Sequence, residues 1–187
     1  MRAVLRPHPR LRDKLVRAVW LIAWALLFRP SPVPFFGWRR LLLRLFGARV
    51  GRGAHPYASA RIWAPWNLVM EARSCLGPGV DCYSVDQVLL GPDAMVSQRA
   101  FICTASHDYR SRGSPLTTAP VEIGAAAWIA AEAFVGPGVT VGAGAVVGAR
   151  AVAVRDVPPG AVVVGNPARV VSHRQTERVV TMRGTQR

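Results

Sequence analysis

The 187-residue sequence predicts an all-β solenoid, a parallel β-helix, on three observations. First, residues 123–152 repeat every six positions, as IGAAAW, IAAEAF, VGPGVT, VGAGAV and VGARAV. No helix has that period, and a two-sided strand has period two. Second, position one of each unit (Ile123, Ile129, Val135, Val141, Val147) is β-branched and aliphatic, and position two (Gly124, Ala130, Gly136, Gly142, Gly148) is tiny. Each unit then makes one short strand and one turn. The aliphatic residue points inward, and the tiny one sits where the chain bends and is crowded. Third, position five (Ala127, Ala133, Val139, Ala145, Ala151) is small and apolar, as a narrow interior requires.

Taken in chain order, the first segment is AVWLIAWALLF (18–28), preceded by Arg10, Arg12, Lys14 and Arg17. It is too short for a spanning helix, which needs about 20 apolar residues. It resembles a signal peptide, but Arg29-Pro30 follows where a small-x-small cleavage site belongs. RPSPVP (29–34) breaks the helix. In WRRLLLRLF (38–46), Arg39, Arg40 and Arg44 fall on one helical side and Leu41, Leu42, Leu45 and Phe46 on another. Two roles fit these short amphipathic helices. They cap the open end of the solenoid, or they contact a membrane peripherally through residues 15–46, with the arginine side toward lipid. Trp20, Trp24 and Trp38 suit either role.

The repeat begins less cleanly with VGRGAH (50–55), IWAPWN (62–67) and LVMEAR (68–73). After a two-residue slip come LGPGVD (76–81) and CYSVDQ (82–87), and after another, LGPDAM (90–95) and VSQRAF (96–101). At CTASHDYRSRGSPLTTAP (103–120) the register is lost, which predicts a long loop excursion. Such insertions cluster on one face of a solenoid, often the binding face. The expected organisation is therefore a helical cap or membrane-contact segment at 1–49, a β-helix at 50–168 and a basic tail at 169–187.

The net charge of +14 is uneven. Residues 1–53 hold twelve basic residues against Asp13; 54–168 hold seven basic and eight acidic; 169–187 hold five arginines against Glu177. Basic ends on a neutral solenoid suggest an anionic surface, although 23 of the 24 basic residues being Arg also fits a compositional bias. No recognised nucleic-acid motif is present, so no nucleic-acid partner is expected. Cys75, Cys82 and Cys103 are odd in number and form no C-x-x-C, which points to reduced thiols and a cytoplasmic setting.

RPSP (29–32), SARIWAPWNL (59–68), CLGPGVDCYSVD (75–86), TASHDY (104–109), AAAWIAAEAFVGPGVTVG (125–142) and RDVPPGAVVVGNPARVV (155–171) together carry a family resemblance. The chain resembles the hexapeptide-repeat acyltransferases, of the sugar O-acetyltransferase type and nearest to the colanic acid biosynthesis acetyltransferases. The resemblance implies a left-handed β-helix, a homotrimer with sites between subunits, and acetyl transfer from acetyl-CoA to a sugar hydroxyl. His107 corresponds to the family's catalytic base. His is also the residue type suited to taking a proton from an attacking alcohol. His8 and His173 lie in the basic ends, and His55 in an early turn. Asp108 is a secondary candidate for orienting His107.

The resemblance puts the CoA contacts at Ala131 and Ala149, at Trp128, and at Arg155 and Arg169 near the phosphates. For the acceptor, Asp81, Tyr83, Ser84 and Asp86 are the polar groups available ahead of the His107 loop; an Asn that the family uses there is missing. A simple galactoside is therefore not expected; the resemblance to the colanic acid enzymes implies a sugar of an exopolysaccharide precursor, free or lipid-linked. No metal is expected. A carbonic anhydrase of this fold needs three His, and only His55 and His107 lie within the solenoid. An acyl-carrier-protein donor and a non-catalytic membrane-attached scaffold are the rival readings.

Overall fold

A computed structural model describes residues 4–5 and 11–174. Helix α1 (Leu11–Ala23) runs on into a π-helical turn at Trp24–Phe28, and α2 (Phe36–Leu45) follows the prolines. From Arg49 the chain winds into a left-handed parallel β-helix. Its strands, two to four residues long, stack as three prism faces. The first face holds Arg49–Val50, Leu68–Met70, Val88–Leu90, Val121–Ile123 and Thr140–Val141. The second holds His55–Pro56, Cys75–Leu76, Met95–Val96, Trp128–Ile129, Val146–Val147 and Ala161–Val164. The third holds Arg61–Ile62, Asp81–Tyr83, Phe101–Cys103, Phe134–Val135 and Val152–Ala153. Arg169–His173 folds back antiparallel on Ala161–Val164. The expected basic tail thus starts as a strand; its residues 175–187, and His8, lie outside the described residues.

The repeat explains the interior. Ile123, Ile129, Val135, Val141 and Val147 are fully buried, and the position-five residues fill the space between them. The tiny position two is crowded by the next coil: a Cβ built on Gly124 comes within 2.6 Å of the Ala143 nitrogen. The sharp bend lies elsewhere, at position four. There Ala126, Glu132, Gly138, Gly144 and Arg150 all have φ between 54° and 78°. Bend and crowding are therefore separate constraints on neighbouring positions. The slips in the early repeat fall on the first face, where Leu68–Met70 and Val88–Leu90 turn both end residues inward.

The N-terminal segment caps the solenoid through hydrogen bonds. Each coil donates backbone N–H groups to carbonyls of the following coil, as from Gly51 to Met70, His55 to Ser74, Tyr57 to Leu76, Arg61 to Val80 and Trp63 to Cys82. The equivalent carbonyls of the first coil are those of Val50, Ala54, Pro56, Ala60 and Ile62, and no earlier coil exists to meet them. Side chains do so instead. Arg44 donates to Val50 O, Arg40 to Ala54 O (3.0 Å), Arg39 to Pro56 O (2.7 Å), Trp24 to Ala60 O (2.9 Å) and Trp20 to Ile62 O (2.7 Å). Arg39 is fully buried, and its remaining donors meet the Ser31 hydroxyl and the Pro32 and Val33 carbonyls.

This corrects the expected orientation of α2. Its arginine side faces the solenoid, because only that side carries donors for the orphan carbonyls. Leu42 and Leu43 pack beside the arginines, while Leu41 and Leu45 face outward. Arg39→Ala is expected to lower unfolding free energy by about 3 kcal/mol, since a charged donor and several satisfied carbonyls are lost together. Trp20→Phe removes one donor and should cost about 1 kcal/mol. Urea denaturation measures both; native stability in Arg39→Ala would mean that water serves the Pro56 carbonyl equally well.

Candidate active site

The excursion at 103–120 is a built hairpin. Ala105–His107 pairs antiparallel with Leu116–Thr118, and Val4–Leu5 adds to the outer edge of Leu116–Thr118. Buried Thr104 and Thr118 fasten its base. The Thr104 hydroxyl accepts the Asp86 N–H and donates to the Tyr83 carbonyl, both at 2.8 Å. The Thr118 hydroxyl donates to Asp86 Oδ2, and the Gln87 N–H to Asp86 Oδ1, again at 2.8 Å. Asp86 therefore ties the hairpin to the coil beneath it. Sequence reading missed both threonines in this role, although Thr104 stands immediately before the hairpin strand.

His107 ends the first hairpin strand with its ring exposed. Nδ1 lies 2.7 Å from the Ser114 carbonyl oxygen. A carbonyl only accepts, so Nδ1 carries the hydrogen, and a neutral ring keeps its lone pair on Nε2. The hairpin thus selects the tautomer whose Nε2 is free of hydrogen. Asp108 is engaged elsewhere. Its carboxylate accepts the Ser111 hydroxyl at 2.6 Å and the Arg110 N–H at 3.0 Å, bonds that hold its pKa below the usual carboxylate value. It shapes the hairpin tip.

Asp81 and Tyr83 lie on the strand that pairs in register with Phe101–Cys103, the strand feeding the hairpin. Burial pushes the Asp81 carboxyl pKa up, and the nearby Arg61 charge opposes the shift. Trp63, Tyr83, Phe101 and Phe134 climb the third face edge to face, with centroids 5.0, 6.3 and 5.5 Å apart. Trp24, Arg61, Trp63, Asp81, Tyr83 and Phe101 line a cleft of about 350 Å³ between this face and the N-terminal helices. Asp86 is outside its lining. The seam between cap and coils brings Arg61, Trp63 and Phe101 into the site. Arg61 pairs in register with Asp81, and Trp63 meets Tyr83 edge to face.

The residues expected around CoA occupy the later coils. Ala131 and Ala149 lie in turns at one corner, where the Ala131 carbonyl accepts the Arg150 N–H at 2.9 Å. Trp128 projects half-exposed from the second face, its Nε1–H donating to the Ser97 hydroxyl at 2.8 Å. Arg155 and Arg169 line one cleft of about 150 Å³ near the end of the solenoid. Among the described residues, no three His, Cys, Asp or Glu are grouped to hold a metal ion.

No family model matches the chain. The protein named colanic acid biosynthesis acetyltransferase WcaF in Escherichia coli (strain K12) is 37% identical over 156 residues, covering 83% of this chain and 86% of the relative. A hexapeptide-repeat acetyltransferase of Vibrio cholerae O1 biovar eltor, solved with acetyl coenzyme A, superposes with TM-score 0.79 at 22% identity, covering 90% of this chain and 92% of that one. A maltose O-acetyltransferase of Clostridium difficile 630 superposes with TM-score 0.71 at 26% identity, covering 88% and 90%.

The thiols are poorly suited to covalent chemistry. Cys82 is fully buried and its pKa is pushed up to about 12, mainly by desolvation; burial raises Cys75 and Cys103 as well. At pH 8 the Cys82 thiolate fraction is about one in ten thousand. A disulfide-exchange reagent should therefore leave Cys82 unmodified in the folded protein and titrate it only in denaturant. Mass spectrometry of the labelled peptides checks this, and prompt native labelling of Cys82 would contradict its burial.

Proposed function

The chain belongs to the hexapeptide-repeat acetyltransferases of the colanic acid WcaF type, and from that premise we propose that it moves acetyl from acetyl-CoA to a sugar hydroxyl with His107 as general base. The observation that carries this reading is the Nδ1–H bond from His107 to the Ser114 carbonyl. It leaves the Nε2 lone pair available for the proton of an acceptor alcohol.

The transfer is direct. Nε2 of His107 takes the hydroxyl proton as the acceptor oxygen attacks the thioester carbonyl. Backbone N–H groups of the coil turns stabilise the tetrahedral oxyanion. When the C–S bond breaks, His107 returns its proton to the CoA thiolate, so ester and free thiol leave together and the enzyme is unchanged. Ala131 and Ala149 receive the pantetheine arm through their backbone, Trp128 flanks it, and Arg155 with Arg169 binds the phosphates. The shared cleft of these two arginines supports that assignment.

Asp81 and Tyr83 contact the acceptor sugar, whose rings pack well on exposed aromatic edges. Asp86 acts by holding the hairpin in register, and so positions His107. The acceptor class is a sugar of an exopolysaccharide precursor, in line with the name of the E. coli relative. The working unit is a homotrimer with His107 facing CoA on a neighbouring subunit, and acetyl-CoA supply fits a cytoplasmic location. Among the described residues, no helix is long and apolar enough to cross a membrane.

Calorimetry with acetyl-CoA, and with an acetylated carrier protein alongside, tests the donor; micromolar binding of acetyl-CoA is expected. His107→Ala should lower kcat about 10³-fold with the acetyl-CoA Kd within about twofold of native. Equal loss of binding would make His107 structural. A folded protein that ignores acetyl-CoA at millimolar concentration would turn the reading toward the carrier-protein donor or the scaffold.

A further inference from the structure

The N-terminal layer leaves a large apolar surface bare. Trp20, Trp24 and Phe28 turn one side of α1 and its π-helical extension onto the first coil. On the other side Val19, Ile22 and Leu26 are 57%, 60% and 68% exposed. From residue 18 to 28 the segment is apolar on both sides, and a helix apolar all round is normally buried. Trp38, Leu41 and Leu45 of α2 are exposed too, and the Trp38 indole N–H donates to the Leu27 carbonyl at 2.9 Å, which joins the two exposed stretches. Capping does not need this surface, because every capping donor points the opposite way. Patches of this extent mark an interaction site.

Charge decides among occupants. Residues 11–53 hold nine Lys and Arg against the single acid Asp13. The capping arginines meet carbonyl and hydroxyl oxygens, which bring no countercharge to this layer. Arg17 and Arg29 flank it, stacked on Trp63 and Trp24 at 4.4 and 5.4 Å. A second copy seated here would oppose two cationic layers. An anionic lipid surface satisfies both features, with acyl chains for the leucines and valines and headgroups for the guanidinium rim.

We infer that the outer faces of α1 and α2 dock the protein in the plane of an anionic bilayer, apolar side chains inserted and the β-helix standing off the surface. The cleft between cap and third face then opens at the lipid boundary, since exposed Leu21 of α1 lines it together with Trp24. An acceptor still attached to lipid reaches Asp81 and Tyr83 without leaving the membrane. Docking itself does not depend on His107 or on acetyl transfer.

The test is co-sedimentation of the full chain with vesicles of phosphatidylglycerol and phosphatidylethanolamine, against phosphatidylcholine vesicles. The native protein should bind the anionic vesicles, weaken at 0.5 M salt, and bind phosphatidylcholine at least about tenfold less. Val19→Asp with Ile22→Asp should reduce binding about a hundredfold while circular dichroism and acetyl-CoA affinity stay native. Absence of native binding to anionic vesicles, or full binding by the folded double variant, would overturn the inference. So would a double variant whose subunit count changes in sedimentation velocity while vesicle binding persists, since the face would then cover a second copy. A His107→Ala control that binds vesicles normally separates failure of docking from failure of the catalytic reading.

Discussion

The structure depends on closing the first coil. A parallel β-helix passes its backbone hydrogen bonds from coil to coil, so its first rung ends in carbonyls with nothing before them. Here five such carbonyls, from Val50 to Ile62, meet three arginines and two tryptophans. All five donors come from one proline-broken helical segment. That requirement fixes how α1 and α2 lie, which of their faces is hidden, and where a cleft remains between Trp24 and the third face. The apolar surface left outside follows from the same constraint, because a helix that turns its donors inward must turn something else outward.

The later coils continue the regular prism, and the hairpin is the one long departure from it among the described residues. Between Ile102 and Val121 the chain leaves the prism, makes an antiparallel pair and returns one coil on. Such an excursion holds a ring in place only if its base is fixed. Thr104, Asp86 and Thr118 fix it with three short hydrogen bonds, and the Ser114 carbonyl sets the proton on His107. Positioning thus rests on hydroxyl and backbone groups with the Asp86 carboxylate, and the tautomer on a backbone carbonyl. Asp108, adjacent in sequence, is spent on turning the tip.

The parts legible in the sequence were those with a period. Inward Ile and Val, the fifth-position alanines and the place where the register stops all emerge from counting by six. The sign of the arginine face of α2 was not legible. A helical wheel separates Arg39 and Arg40 from Leu41 and Leu45, but it does not say which side meets the coil; that depends on carbonyls 6 to 17 residues further on. The antiparallel pairing of Ala105–His107 with Leu116–Thr118 was hidden for a similar reason, since three-residue strands carry too little alternation to read. The aromatic column from Trp63 to Phe134 spans four coils of unequal length, so no fixed spacing announces it. Arg155 and Arg169 were singled out separately by family pattern, and sequence alone did not say that they line one cleft.

Three of the arginines have a structural cause in the cap. At the solenoid's end a bias toward Arg over Lys is a geometric demand. The Arg39 guanidinium reaches Pro56, Ser31, Pro32 and Val33 in four directions while fully buried. An ammonium offers three donors from one point and is more costly to strip of water, so lysine leaves at least one of those oxygens without a partner. Arg44 similarly presents two nitrogens to the single Val50 carbonyl. Arg40 adds a third guanidinium to the same rung through the Ala54 carbonyl. The positive field behind the apolar face is then a consequence of folding, available to any anionic surface that approaches.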